Sequence, residues 1–141
     1  MKKPEKKIVD FINSHHVLTL ATSNQNIPWC ANCFYVFLEE ENILVFTSDD
    51  KTKHINDVRL NANVAGSIVL ETKTVGKIQG IQFLGIMEKP EAILAKKSKK
   101  AYLKRFPYAA LMNTSLWVLK LNYIKMTDNR LGFGEKLIWK K

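Results

Sequence analysis

The stretch VLTLATSNQNIPWCANCFYVFLEEENILVFT, residues 17–47, decides the fold. Residues 17–22 are β-branched or apolar at nearly every position, which favours an extended strand. Ser23-Asn24-Gln25-Asn26 then supplies turn chemistry. Residues 29–38 read as a long second strand. Side chains alternate along a strand, so Trp29, Tyr35 and Phe37 share one face and Phe34 takes the other. A strand that is apolar on both faces is normally covered on both. Glu39-Glu40-Glu41-Asn42 forms the next turn, and residues 43–47 a third strand.

The flanking sequence adds helices around this β region. Pro4 followed by Ile8, Val9, Phe11 and Ile12 predicts a short helix with proline in its first turn, closed by His15 and His16. Residues 48–61 break the β pattern. Ile55, Val58 and Ala62 recur there at near-helical spacing behind a run of capping residues. Residues 64–70 and 78–87 predict two more strands across a polar loop at 71–76. Pro90 opens a helix to about Arg105, and Pro107 ends it. Its apolar stripe of Leu94, Ala95, Ala101, Tyr102 and Phe106 lies opposite its lysines. A strand at 116–126, a turn at Thr127-Asp128-Asn129 and a last strand near 137–139 complete the chain. The pattern predicts a mostly β (α+β) domain over residues 1–141, an antiparallel barrel of six to seven strands with peripheral helices.

At 141 residues the chain has the size of one domain and buries enough surface to fold without disulfides. Hydrophobic residues make up 46% and charged ones 25%, which excludes a disordered chain. The net charge of +9 suits nucleic acid, a membrane surface or an anionic small molecule. The charge concentrates at Lys2, Lys3, Lys6 and Lys7 and again at Lys96, Lys97, Lys99, Lys100, Lys104 and Arg105. Both stretches are helical by pattern, so they read as solvated faces, and neither a nucleic-acid nor a membrane partner is expected. With no signal-like apolar run, no membrane-length segment and no disulfide framework, the expected location is the cytoplasm.

Cys30 and Cys33 form C-x-x-C, but residues three apart on a strand face opposite ways. Buried free thiols are expected, with no metal site. No nucleophile–base motif, zinc-protease helix or Walker loop is present, so no catalytic residue is assigned. Phe46-Thr47-Ser48-Asp49-Asp50-Lys51-Thr52-Lys53-His54 runs from a strand end into a helix start and carries hydroxyls and lysines. Two readings stand side by side. One is an ordinary helix capped by Asp49 or Asp50. The other is a phosphate site at a helix N-terminus, which requires those aspartates to face away. Gln79, Gln82 and Asn32 are polar residues on apolar strands and need hydrogen-bond partners.

The order of these elements, with Ile27-Pro28 entering the second strand and Thr47 to Lys53 as T-x-x-x-x-x-K, resembles the pyridoxamine 5′-phosphate oxidase-like FMN-binding split barrels. Asn61-Ala62-Asn63-Val64-Ala65 and Asn129-Arg130-Leu131 extend the likeness. Trp29-Cys30-Ala31-Asn32, Gly80-Ile81-Gln82-Phe83, Arg105-Phe106-Pro107, Thr127-Asp128-Asn129 and Leu131-Gly132-Phe133-Gly134 resemble its YhbP-type branch.

The resemblance implies a split-barrel homodimer with FMN at the subunit interface. The phosphate would lie at Thr47, Thr52 and Lys53, helped by Ser48 and Lys51. Ala31, Asn32 and Cys33 would line the ring. Gln79 or Gln82, with Thr127 and Asn129 from the end turn, would complete the site. It implies an FMN-dependent oxidoreductase with an NADH or NADPH donor, with Trp29, Phe34 and Phe133 as candidates for an apolar wall. The alternatives are a non-catalytic flavin- or haem-binding sensor and, further off, a nucleic-acid-binding barrel. The chain departs from the family's namesake where Leu131-Gly132-Phe133-Gly134 follows Arg130 without a histidine, so pyridoxamine-phosphate oxidation is not expected. Ala31 or Asn32 also stands where many members have an arginine.

Overall fold

The computed structural model describes residues 2–141. Helix α1 (Lys6–Ser14) is followed by strands β1 (Val17–Asn24), β2 (Ile27–Leu38) and β3 (Ile43–Ser48). Helix α2 (Lys53–Leu60), β4 (Asn63–Val69), β5 (Gln79–Glu88), helix α3 (Ala92–Arg105), β6 (Ser115–Asp128) and β7 (Lys136–Lys140) follow. Gln25 and Asn26 adopt positive φ (51° and 63°) at the tip of the β1–β2 hairpin, the geometry that this turn chemistry favours.

All strands are antiparallel, in the order β3-β2-β1-β4-β5-β6-β7, and a β3–β6 pairing closes the sheet. The result is an antiparallel barrel, as the strand pattern predicts, of the split type that the resemblance implies, with β7 outside the closure. Inside, alternation is kept: Leu18 and Leu20 of β1, Tyr35 and Phe37 of β2, Ile81 and Phe83 of β5, and Ile124 and Met126 of β6 are all buried. Gly66 of β4 leaves no room for a side chain, since a Cβ there would lie 2.3 Å from Phe83 Cζ and 2.5 Å from the Thr19 carbonyl. Helix α1 packs Ile8, Phe11 and Ile12 into the core, and Tyr35 donates its hydroxyl to the Ile12 carbonyl (2.6 Å).

Three expectations change at the edges. Helix α3 begins at Ala92, because Pro90 lies in the preceding loop. Thr127 and Asp128 belong to β6 and pair with Gly80 and Gln79, so the turn itself is the 3-10 segment Asn129–Leu131. The second strand is not covered on both sides within one chain. Phe34 is exposed while Tyr35 is fully buried, because its outward face stands on the barrel's exterior.

That exterior has a regular composition. Register places Asn32, Thr19, Ser67, Gln82, Lys125 and Ile138 in one row across β2, β1, β4, β5, β6 and β7. Thr19 Oγ1 donates to Asn32 Oδ1 at 3.0 Å. Cys30, Ala21, Ala65, Leu84 and Tyr123 form the neighbouring row.

Candidate functional site

The first turn of α2, the end of β3 and the inward side of β2 meet at one corner. The loop before α2 is held by Asp49. The Lys51 amide donates to Asp49 Oδ1 (2.8 Å), and the Thr52 hydroxyl and amide donate to the Asp49 carbonyl (2.8 and 3.1 Å). Asp50 is drawn the other way. It accepts from Ser115 Oγ at 2.6 Å and has Lys89 at 3.6 Å and Arg59 at 3.9 Å. The Ser115 hydrogen bond leads the effects that hold its carboxyl below the usual range. Neither aspartate caps α2. Its N-cap, Thr52, makes no side-chain cap, and the first turn carries no acidic residue. The N-terminal end of α2 thus keeps its partial positive charge uncompensated by a cap.

Around it lie two linked polar groups. Lys53 Nζ donates to Asp57 Oδ1 and Oδ2 (3.0 and 3.1 Å) and sits 5.5 Å from the centre of the Trp29 ring. Thr22 Oγ1 donates to Asp57 Oδ2 at 2.9 Å. The Lys53 hydrogen bond, above all, holds the Asp57 carboxyl below its ordinary value despite its burial. His54 is buried, with Nε2 2.9 Å from Ser48 Oγ and 3.4 Å from Thr52 Oγ1. Desolvation lowers its pKa against the pull of Asp57, which keeps the imidazole neutral near neutral pH. The Cys33 thiol is pushed up to about 11 by burial, partly offset by its hydrogen bond with Ser48. A thiol held protonated in this way is a poor nucleophile.

The residues that the sequence proposes for one site are distributed over several places. Cys33, Ser48, Lys51, Thr52 and Lys53 gather at the α2 corner, with Ala31 on the same side of β2 as Trp29 and Cys33. Thr47 points the opposite way, since neighbours on a strand alternate. Its hydroxyl lies 3.4 Å from Tyr102 Oη, beside a cavity of about 260 Å3 against α3. Asn32 and Gln82 lie on the exterior, Gln82 lining a shallow cavity of about 440 Å3 floored by Ala21, Cys30 and Ala65. Gln79 and Thr127 share a hollow of about 320 Å3. Gln79 also borders a cleft of about 640 Å3 with Lys7, His15, Asp128 and Arg130. Asn129 shapes the β6–β7 turn, its side chain donating to the Val75 carbonyl (2.9 Å) and accepting from the Gly134 amide (3.2 Å).

Cys30 is exposed, not buried, because it faces the exterior row. Among the described residues no group of three or more His, Cys, Asp and Glu side chains is placed to hold a metal ion, and no helix is long and apolar enough to cross a membrane. Sequence reasoning missed Asp57, Thr22 and Tyr102. Only Asp57 left a signal, lying four residues after Lys53 on a predicted helix.

The class of protein follows from these elements: a split barrel of the kind seen in several cofactor-binding proteins. The heme-binding protein of Mycobacterium smegmatis superposes with a TM-score of 0.79 at 19% identity, over 99% of this chain and 60% of that one. HutZ, the heme storage protein of Vibrio cholerae, gives 0.69 at 16%, over 99% and 96%. An FAD-binding protein of Mesorhizobium loti gives 0.70 at 12%, over 89% and 95%. At these identities the likeness concerns the fold.

No protein-family model matches the chain. Curated relatives settle its membership. A UPF0306 protein of Photorhabdus laumondii is 40% identical over 131 residues, covering 93% of this chain and 92% of that protein. The UPF0306 protein YhbP of Salmonella schwarzengrund is 40% identical over 129 residues, covering 92% and 88%. The chain belongs to the UPF0306 (YhbP) family.

Proposed function

We propose that this protein is an FMN-binding flavoprotein, a small oxidoreductase that works as a homodimer with NADH or NADPH as electron donor. The observation that carries the reading is the uncapped start of α2. Asp50 is held by Ser115 of β6, and Asp49 accepts from the Lys51 amide ahead of the helix, so neither caps it, while Lys51 and Lys53 flank the turn. These residues fit a phosphate monoester. Helix amides and ammonium groups are its ordinary donors, and Asp57 engages at most two of the three N–H groups that Lys53 carries. When bound, FMN would supply the redox chemistry. The chain would anchor the phosphate at Lys51, Thr52 and Lys53 and set Trp29, Ala31 and Cys33 beside the ligand. Gln82 and Asn32, on the other face of the sheet, would offer their amides to the flavin held by the second protomer.

The homodimer rests on that same face. Phe34 is 59% exposed and Val69 66% exposed, and Val17, Leu84 and Ile138 are exposed as well. These exposed apolar side chains flank the polar row of Asn32, Thr19, Ser67 and Gln82 on one sheet face, and exposed apolar surface rimmed by polar residues marks interaction sites. A second reading, a non-catalytic haem-binding store or sensor, is favoured by one feature. His15 spends Nδ1 on the Phe11 carbonyl (2.8 Å) and borders the 640 Å3 cleft.

An absorbance spectrum of the purified protein, taken after FMN addition and desalting, tests the assignment. Flavin bands retained by the wild type and lost in Lys53→Ala are expected. Absence of retained flavin sinks the FMN reading, and a Soret band after haem addition, lost in His15→Ala, would favour the second.

A further inference from the structure

Several lysines of this chain are ion-paired. Lys3 reaches Glu40, Lys6 reaches Asp10 and Lys97 reaches Glu41. Helix α3 carries four lysines besides Lys97. Lys96, Lys99, Lys100 and Lys104 are exposed and, among the described residues, take part in no ion pair. Lys96, Lys99, Lys100 and Leu103 follow i, i+3, i+4, i+7 spacing and so share one side of the helix. That side adjoins the 3-10 turn Pro107–Leu111, since Lys99 and Leu103 border the same cavity as Ala109. On the turn and just after it, Tyr108 is 81% exposed, Leu111 90% exposed and Met112 60% exposed. Three large apolar side chains thus stand far into solvent beside unpaired lysines.

We propose that this side of α3, with the turn that follows it, docks on an anionic lipid surface. The lysines would lie against headgroup phosphates, and Tyr108, Leu111 and Met112 would enter the boundary between headgroups and acyl chains. Charge complementarity carries the choice, because basic clusters are drawn to anionic leaflets and adjacent apolar side chains add insertion. Nucleic acid fits less well, since single strands need aromatic platforms for their bases, and two of the three protruding side chains here are aliphatic. A peptide partner fits less well because such ligands are taken up in grooves, and these side chains project outward. Docking of this kind requires no spanning segment, and no residue of the α2 corner takes part in it.

The test is co-sedimentation of the full chain with vesicles of phosphatidylcholine alone and of an equimolar phosphatidylcholine–phosphatidylglycerol mixture. Pelleting with the mixed vesicles alone, weakening as salt rises, is expected. Replacing Lys96, Lys99 and Lys100 by Glu should lower that partition by about a hundredfold or more. Far-UV circular dichroism should show an intact fold. Leu111→Trp should shift its emission to the blue on the mixed vesicles. Failure to pellet, an unchanged partition in the triple variant or an unshifted Leu111→Trp emission overturns the proposal. So does release of the protein from vesicles into a tighter complex with single-stranded DNA, which would make nucleic acid the partner.

Discussion

Lys53 and Asp57 stand one helical turn apart on α2, with the ammonium 3.0 and 3.1 Å from the two carboxylate oxygens and Thr22 holding one of those oxygens from β1. The pair fixes how much positive charge the corner offers a ligand. Asp57→Asn keeps the shape and removes the opposing charge. On the FMN reading it should tighten FMN binding several-fold, while Lys53→Ala should weaken it. Fluorescence quenching of free FMN on titration measures both; weaker binding in Asp57→Asn would contradict this role for the pair.

Thr22→Val tests the other arm of the same contact. The hydroxyl is buried and the replacement is close to isosteric. The loss of one hydrogen bond to a charged group should cost about 1–3 kcal/mol, read as a lower denaturation midpoint with an unchanged m-value.

Stability should fall in two steps on acidification. His54 has its pKa lowered from an ordinary value of 6.5, so between the two values the unfolded chain binds more protons than the folded one. Its contribution is complete above pH 6.5 and is lost as pH falls towards the folded value. Asp57 and Asp128 are lowered from 3.8, mainly by Lys53 and Arg130 respectively, so their contribution disappears further down, below about pH 4. Thermal melts across this range should show both steps, and His54→Gln should erase the upper one alone.

The two thiols should differ in reactivity. Cys30 is exposed, whereas Cys33 is buried with its pKa at about 11. A disulfide reagent at mildly alkaline pH should titrate one thiol in the folded protein and two in denaturant. Cys30→Ser should leave none reactive in the folded state.

Gly66→Ala should cost about 1–3 kcal/mol, because the new methyl collides with the Phe83 ring and the Thr19 carbonyl. Adding Phe83→Leu should recover only part of the loss, since the carbonyl cannot move aside; full recovery in chemical denaturation would place the strain in the ring alone.

Much of this molecule was legible in advance. The strands at 17–22, 29–38 and 43–47, the helix behind Thr52 and the end of α3 before Pro107 depend on alternation, turn residues and proline, which act within a few positions. The requirement that Asp49 and Asp50 face away was also legible as a condition. The outcome was not: Asp50 turns away to Ser115 on the far strand β6, while Asp49 stays in the loop on the Lys51 amide.

By itself the sequence determined the order and type of the elements, since local backbone preferences and side-chain period depend on near neighbours. Only the tertiary structure decided how the polar residues were shared out. Closure through β3–β6 set Thr47 against Tyr102 of α3 and left Ser48 to His54. It brought Thr22 to Asp57 and put Phe34 and Cys30 on the outside. These partners are far apart along the chain, and what joins them is the burial of one shared core, which acts on area and shape irrespective of sequence distance.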